Sequence, residues 1–535
     1  MTRLTAPTRS KSRFMHRSLV AAATTSVISL ASMNARADLT DLQNAGLLSG
    51  YNEIRLQSAI ATQAIYNQLQ AAGCLDNDAV GSVDTQPAGC SGQTYLVWRN
   101  VREVVHNANV ITLANQLPTG SKLPLATRFT LGRNVAQIGG ALQWCNGEEF
   151  ASLNSLSTSF ISTQSSSLAS RITALRFGAS GMHASNVSLN DGHILADASP
   201  RKGGGASADG DDDYDNSTSS WSTWGLFGNG NSIKGEKIPT GSEEGFKYKG
   251  NTFNLGVDKR LDQNWVAGVM VGYQKNAMDF TPFNGTLAVG SSDLKGLSIL
   301  PYAMYETDRW YFNLSLGYQN IKFDTNRLVN YGTQPGTLLP VTVNVLHQTN
   351  DQSTAHATGF SSFDTVGLSF RPFGAMTIEP SVSFDYQHTR IGQFTEQDLN
   401  NQGFAFVVDA QTINSLEGIP ELRLQYTFTP RFGVWSPYID AQWHHQFNTN
   451  PRGISTIYAD AQNILTPAAT FNIKTEALDP WYQVYSAGIS AVIRGSSAGQ
   501  GHSTGGMQMY ANYRRYEGLK NYTQQIYTLG LRYEF

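Results

Sequence analysis

After its first forty positions the chain has no uninterrupted run of about 18 apolar residues, so the sequence predicts no membrane-spanning helix. It also has no excess of positive charge. The formal net charge of its 535 residues is -3, which argues against nucleic acid as a partner. Hydrophobic residues make up only 40% of the chain. That low share does not exclude a β-barrel, whose strands cross a bilayer with lipid-facing and lumen-facing side chains in alternation.

The first residues have the pattern of an export signal. Basic side chains precede an apolar stretch at 18–32, and Ala35 and Ala37 form an A-x-A cleavage site. A membrane anchor is the alternative, but the apolar stretch is short and rich in Ser and Thr. The sequence therefore predicts a cleaved signal peptide over residues 1–37.

Cysteine is scarce, with three residues in the whole chain. Export would place these cysteines in an oxidising compartment. Cys74 and Cys90 bracket a stretch rich in Gly, Asp and Pro, and a disulfide closing that loop would stabilise the fold by about 3 kcal/mol. Cys145 is left over on a predicted helix, either as a small buried residue or as a reactive or intermolecular thiol.

Residues 38–185 have a helical pattern. Apolar residues recur at spacings of three to four over 54–69 and again over 96–111. A third helix, rich in Ser, Thr and Ala, is predicted over about 128–177, and its slim surface would fit inside a water-filled barrel. We interpret the Gly- and Asp-rich residues 186–220 as a flexible linker. A calcium site is the alternative, but the aspartates lack the spacing of an EF-hand loop.

From Trp221 to the end the apolar period changes to two. In one segment Trp265 and Tyr273 bound an apolar face while glycine and polar residues occupy the other, as in a strand that spans lipid between two interfaces. About twelve such segments are present, and short connections such as 261–264 alternate with long ones such as 449–480. The predicted fold class is an all-β transmembrane barrel of about twelve antiparallel strands, with an N-terminal α-helical region and a helix inserted in the pore.

The last strand carries the most specific pattern in the chain. Apolar and aromatic residues alternate there with polar ones, and the chain ends on an aromatic residue. This arrangement resembles the β-domain of the autotransporter family (type V secretion), in which the barrel-assembly machinery reads the terminal strand. The opening at 224–228 and the pairs Pro301-Tyr302 and Pro437-Tyr438 are also similar to that family. The residues of this assembly signal are Tyr527, Leu529, Leu531, Tyr533 and Phe535.

The resemblance implies an outer-membrane protein of a Gram-negative bacterium. Its implied partners are outer-membrane lipid, the barrel-assembly machinery and periplasmic chaperones. The barrel would occupy 221–535, and the residues upstream would be an exported passenger. Residues 38–185 are shorter than a typical passenger and helical, without a repetitive β-helix pattern. The predicted function is display of this region at the cell surface, with adhesion as one role, and the alternative is a pore with a periplasmic helical domain.

One enzyme motif is present formally. Residues 501–505 read Gly-His-Ser-Thr-Gly, which matches the nucleophile elbow of serine hydrolases around Ser503. That motif needs a strand before it and a helix after it, whereas 507–513 continues as a strand. We therefore predict a Gly/Ser turn at this position, and no enzyme.

The histidines give no metal site. His444 and His445 alternate across a strand, so their rings face opposite sides, and His106 and His183 have no ligand partners at useful spacing. No cofactor or metal is predicted.

Three charged residues, Arg423, Arg532 and Glu534, are predicted to face the lumen. They would either set the ion preference of a pore or pair with each other and with the pore helix. Pairing is favoured, because an unpaired charge in a plugged lumen is costly.

Overall fold

The fold is given by a computed structural model. It describes residues 39, 53–75, 86–116, 131, 133–177, 187–190, 193–196, 224–240, 243–262, 264–281, 290–332, 346–430, 433–494, 497–499, 502–504 and 507–534. The expected signal peptide, most of the expected linker and the terminal Phe535 lie outside these residues.

In the described part of the chain, four α-helices precede the barrel. They are α1 (Glu53–Ala71), α2 (Gly92–Gln116), α3 (Val135–Trp144) and α4 (Ser152–Phe177), with a 3₁₀ turn at Glu148–Ala151 between the last two. The first two agree with the helices expected over 54–69 and 96–111. Two short paired strands, Val187–Asn190 and His193–Ala196, follow α4. None of the described helices has the length and hydropathy needed to cross a membrane.

The single long helix expected over about 128–177 is wrong, because α3 and α4 are separate. A capping box starts α3, with the Asn134 side chain accepting from the backbone N–H of Gln137. Cys145 is the C-cap residue of α3, and the Asn146 side chain accepts from the backbone N–H of Glu148 at 3.0 Å. At Gly147 a Cβ would lie 2.6 Å from the Phe150 ring, so the turn requires glycine there.

Twelve antiparallel strands form the barrel, as the period of two predicts. Each pairs with its neighbours, and the last strand pairs with the first, for example Tyr527 with Ser232, so the sheet is closed. The strands are β1 (Trp224–Lys237), β2 (Gly245–Arg260), β3 (Trp265–Thr281), β4 (Gly290–Glu306), β5 (Trp310–Gly332), β6 (Leu346–Leu368), β7 (Met376–Ile391), β8 (Gln411–Tyr426), β9 (Val434–Gln446), β10 (Trp481–Arg494), β11 (Met507–Glu517) and β12 (Tyr522–Glu534).

The wall of the barrel has an apolar outside and a largely polar inside. Side chains that point outward include Phe253, Leu297, Phe360 and Leu529, all more than half exposed. Inward neighbours such as Asn254 are buried. Apolar side chains outside and polar side chains inside are the reverse of the arrangement in a soluble protein, and a lipid-embedded barrel requires them.

The two ends of the barrel differ. We call the end where β1 begins and β12 finishes the terminal end; turns 261–264 and 307–309 lie there, together with the longer connection 495–506. The opposite end, the long-loop end, carries the connections 392–410 and 447–480. Parts of these two loops form a separate four-stranded sheet from Phe394–Thr395, Phe406–Val408, Gly453–Tyr458 and Phe471–Lys474.

The helices α1 to α3 and the 3₁₀ turn, which we call the helical domain, pack on this loop sheet. Val97 and Val101 of α2 belong to one buried apolar cluster with Phe406, Tyr458 and Phe471 of the loops. The loops therefore supply part of the core of the helical domain.

Candidate functional site: the barrel lumen and the helix inside it

Helix α4 lies in the lumen. Nearly all of its described side chains are buried, although most are Ser, Thr or Ala. Glycines of the wall make room for its larger side chains: at Gly296 a Cβ would lie 2.5 Å from the Phe160 ring, and at Gly272 one would lie 2.3 Å from Gln164 Oε1. The slim, polar character of this helix thus matches its position, as predicted from the sequence.

The ion pair between Arg171 and Asp258 joins α4 to the wall near the terminal end. Asp258 also accepts from Arg532 at 3.1 Å and from the Tyr302 hydroxyl at 3.0 Å, so one carboxylate serves two guanidinium groups. The Arg171 guanidinium lies 4.6 Å from the centre of the Phe227 ring. All these groups are buried, and opposite charges at hydrogen-bond distance offset the cost of removing them from water.

A second ion pair, one helical turn further on, holds the end of α4. Arg176 donates to Glu306 at 3.1 Å and to both oxygens of Glu379 at 3.0 and 2.5 Å. Its guanidinium lies 3.4 Å from the centre of the Tyr311 ring. Because Glu306 is on β4 and Glu379 is on β7, this one side chain connects α4 to two separate strands of the wall.

Further hydrogen bonds, most of them between neutral groups, connect α4 to the wall. The Ser167 hydroxyl accepts from Asn231 at 2.7 Å and from Asn254 at 3.0 Å. Ser159 donates to the Tyr248 hydroxyl at 3.2 Å, and Arg423 donates to the Thr173 hydroxyl at 2.6 Å. A smaller apolar cluster, which includes Leu168, Ile172, Leu175, Met270 and Leu300, completes the contact.

At the long-loop end Arg327 links three parts of the molecule. From β5 it donates to Asp351 of β6 at 2.7 Å and to Glu396 of a long loop at 3.1 and 2.7 Å. It also donates to the backbone carbonyl of Trp144, at the end of α3, at 3.4 Å. Arg327 is fully buried, so it fixes the helical domain against the barrel.

Glutamates of the helical domain and of the β1–β2 connection lie close together near this arginine. Gln143 donates to Glu148 and, at 3.3 Å, to Glu244 of the β1–β2 connection. Burial raises the pKa of Glu148 to about 7 and that of Glu149 to about 8, and it also raises the pKa of Glu244. Carboxylates buried this close to each other disfavour their charged forms.

The lumen arginines singled out in the sequence are paired. Arg423 lies 2.8 Å from Glu421 and Arg532 lies 3.1 Å from Asp258, so pairing rather than an open ionic pore describes both. The side chain of Glu534 lies outside the described part of the structure. Arg171 and Arg176 were not among the residues predicted from the sequence, and their only signal is two arginines five apart in a helix otherwise rich in small residues.

The cysteines separate into a bonded pair and a buried thiol. Cys74 and Cys90 form a disulfide with their Cα atoms 4.5 Å apart. Cys145 is free and fully buried, and burial raises the pKa of its thiol to about 12. A thiol held neutral in this way is a poor nucleophile, which favours the first of the two alternatives for this residue.

The last strand presents its apolar row to the outside. Tyr527, Leu529, Leu531 and Tyr533 are between 45% and 61% exposed on the outer wall. Recognition of this row by the assembly machinery stays a prediction, as does cleavage at Ala35 and Ala37.

The residues considered for enzyme or metal chemistry are dispersed. His502–Thr504 pairs with Ser497–Gly499 in a short hairpin, and the next element is strand β11, not the helix that a nucleophile elbow needs. His444 points inward and lies 2.9 Å from Glu417, whereas the His445 ring packs outside against the Trp481 ring. Within the described ranges no group of His, Cys, Asp and Glu has the geometry of a metal site.

Comparison with known proteins gives one family. The sequence profile of the autotransporter beta-domain matches residues 226–501. No curated protein sequence matches the chain. The fold is similar to the translocator domain of the autotransporter NalP from Neisseria meningitidis, with 12% identity, 58% of this chain and 88% of that chain covered, and a TM-score of 0.41. It is also similar to the beta domain of the Bordetella autotransporter BrkA (17% identity, 58% and 100% covered, TM-score 0.37) and to the transport unit of AIDA-I from Escherichia coli (16%, 60% and 93%, 0.36).

Proposed function

The chain belongs to the autotransporter family, and we propose that its barrel displays the helical domain on the outer face of the outer membrane. In this proposal the helical domain is the effector and the barrel with α4 is its membrane support. The display role and any adhesive activity go beyond what family membership alone gives.

The path of the chain is the observation that supports the proposal. The helical domain packs on the long-loop end, α4 runs through the lumen, and Arg176 near its last residue pairs with Glu306 and Glu379, which belong to the terminal end. Strand β1 also starts at the terminal end. The chain thus passes through the barrel once before it forms the wall.

The two ends are assigned by the general properties of bacterial barrels. Such barrels have an even number of strands, short periplasmic turns and longer extracellular loops. Applied to this chain, those properties favour a periplasmic terminal end and a helical domain outside the cell. They disfavour the alternative of a transport pore with a periplasmic helical domain, and the ion pairs of α4 leave the lumen occupied rather than open.

The shared core argues that the displayed domain stays attached. Helix α2 places Val97 and Val101 against loop residues, and its Asn100 donates to the backbone carbonyl of Gln402 at 2.7 Å. Release of the domain would expose this apolar contact to water, at a free-energy cost of roughly 25 cal/mol for each Å² of apolar surface.

The test is an epitope inserted into the disulfide loop between Cys74 and Cys90, in the full chain expressed in Gram-negative cells. We expect an antibody to label intact cells, with little epitope in the medium. A matched variant carries the same epitope at 205–215, before β1, and should be labelled only after the outer membrane is opened. Labelling of the first variant only in opened cells would contradict display and favour a periplasmic helical domain.

A further inference from the structure

Basic side chains, five lysines with one arginine and one histidine, form a row along the outside of the barrel. They point outward from seven consecutive strands, and cross-strand register aligns them. Lys275 of β3 is paired directly with Lys295 of β4, which is paired with Lys322 of β5, and Lys234 of β1 is paired with Lys249 of β2. The members of this basic row are Lys234, Lys249, Lys275, Lys295, Lys322, His356 and Arg390.

The basic row lies at the edge of the apolar band, on the side of the long-loop end. Leu297 is two residues below Lys295 and Tyr318 is four residues below Lys322, and both are exposed apolar positions. At about 3.3 Å per residue the row is therefore roughly 7 to 13 Å from the last apolar residues. A charge costs about 2–4 kcal/mol at the bilayer centre and little near an interface, so a continuous row of charges marks the headgroup level.

Like charges directly opposite each other in a sheet are destabilising, which gives the row a need for anions. Asp324 partly meets it, at 3.3 Å from Lys295 and 2.8 Å from Lys322. Among the residues the structure describes, Lys249 and Lys275 have no carboxylate within 4.0 Å. Adjacent strands are about 4.8 Å apart, so neighbouring ammonium groups are close enough to share one phosphate.

The lysines of the row lie on five adjacent strands, β1 to β5. Near the long-loop ends of β8 to β11 the outward positions carry Thr412, His445, Trp481 and Arg515, and Arg515 pairs with Glu517. Charges that only fixed the depth of the barrel would be distributed evenly around it, whereas five adjacent lysines fit a ligand bound to one face.

We propose that the basic row is a binding site for the phosphate groups of a phosphorylated lipid in the leaflet around the long-loop end. The lysine stems lie along the wall and their ammonium groups reach the headgroups, as long cationic side chains do at interfaces. The proposed function enters this inference at one point only, because it makes the leaflet around the long-loop end the outer leaflet.

The experiment measures lipid binding to the purified full chain in a neutral detergent, by native mass spectrometry. The probes are diphosphorylated lipid A and the same lipid with its phosphates removed. We compare the wild type with a Lys275→Gln, Lys295→Gln, Lys322→Gln variant. The control variant, Lys259→Gln, Lys474→Gln, Lys520→Gln, removes the same charge away from the row. Gel electrophoresis verifies that each barrel is folded, because a folded barrel migrates more slowly after heating than before it.

We expect the row variant to lose at least tenfold in affinity for diphosphorylated lipid A, since each lysine near an anionic surface contributes roughly a fivefold factor. The control variant should bind like the wild type. Asp324→Asn, which frees Lys295 and Lys322, should bind more tightly and keeps the test decisive if the triple variant folds poorly.

Equal affinity of the row variant and the wild type would overturn the proposal, as would equal binding of the dephosphorylated lipid. Displacement of lipid A by millimolar inorganic phosphate would indicate a free-phosphate site instead of a lipid site. The lipid-binding test uses purified protein, so its outcome is independent of the epitope labelling of cells. If the epitope test showed a periplasmic helical domain, the expected lipid binding would be the same.

Discussion

The contact of α4 with the lumen and the contact of the helical domain with the loops are built in different ways. In the lumen, Arg171 and Arg176 face carboxylates of the wall. Hydrogen bonds also join a serine side chain of α4 to asparagine side chains of the wall. At the long-loop end the contact is mainly an apolar core, in which Phe406, Tyr458 and Phe471 pack with α2. Beside that core, glutamates lie together with few cations.

The difference has a consequence for how each contact forms. A polar wall is stable in contact with water. Before α4 enters the lumen, water can therefore form hydrogen bonds with the side chains of the wall. The apolar core has no such alternative, because its two halves are exposed until the loops and the helical domain meet. The helical domain should therefore gain its final stability only on the completed barrel.

The largest expected effect is on the unfolding free energy, and it comes from removing a charge in the lumen while keeping a side chain of similar length. Arg176→Met removes the cation from Glu306 and Glu379 and leaves two carboxylates in a buried site. Loss of one partner of a buried pair costs about 3–5 kcal/mol. Chemical unfolding in detergent micelles measures the change.

A matched control is Arg515→Met, because Arg515 is exposed on the outer wall and pairs with Glu517. Its expected effect is at most about 1 kcal/mol. A second variant adds Glu306→Gln and Glu379→Gln to Arg176→Met and should recover stability. An equally small effect of Arg176→Met and Arg515→Met would mean that α4 does not lie in the lumen as described.

A change of one pH unit has a smaller expected effect, and this effect is confined to the long-loop end. The pKa values of Glu148 and Glu149 are about 7 and about 8, above the ordinary value of 4.5, so the folded form binds protons that the unfolded form releases. Stability should then be greatest below about pH 5 and decrease as pH rises to 8, by at most about 1.4 kcal/mol per pH unit for each group. Arg55 and Arg327 face these groups and oppose the shift, while Glu396 adds to it.

Hydrogen exchange in the helical domain between pH 5 and 8, corrected for the intrinsic rate, measures this dependence. Glu148→Gln with Glu149→Gln should flatten it, whereas Glu53→Gln, at an exposed position of α1, should not. Increasing protection with rising pH would contradict the raised pKa values.

The same comparison explains which features were predictable from the sequence. The barrel and the slim helix follow from local periodicity, since each strand and α4 carry their pattern within a few residues. The partners of Arg171 and Arg176 do not, because Asp258 is 87 residues away from Arg171 and Glu379 is 203 residues away from Arg176. Register fixes such pairs, and register is not visible in one sequence.

The contact between the helical domain and the loops was equally hidden. Phe406 and Tyr458 lie in connections that looked irregular, and only the loop sheet brings them against α2. The break between α3 and α4 had a visible signal, the Asn146-Gly147 pair, which a continuous apolar pattern outweighed. Long-range packing was thus the part that local rules did not reach.

The smallest expected effect tests the neutral hydrogen bonds of the lumen. Ser167→Ala removes the hydroxyl that accepts from Asn231 and Asn254 and leaves two buried amide groups with one acceptor fewer. We expect a loss of about 1–3 kcal/mol in unfolding free energy, because buried donors lose their partner. Ser170→Ala is the control, since the buried Ser170 hydroxyl of the same helix has no hydrogen-bond partner among the described residues. If Ser170→Ala cost as much as Ser167→Ala, the lost packing volume rather than the hydrogen bonds to β1 and β2 would account for the effect, and the lumen contact would depend on its ion pairs and apolar cluster alone.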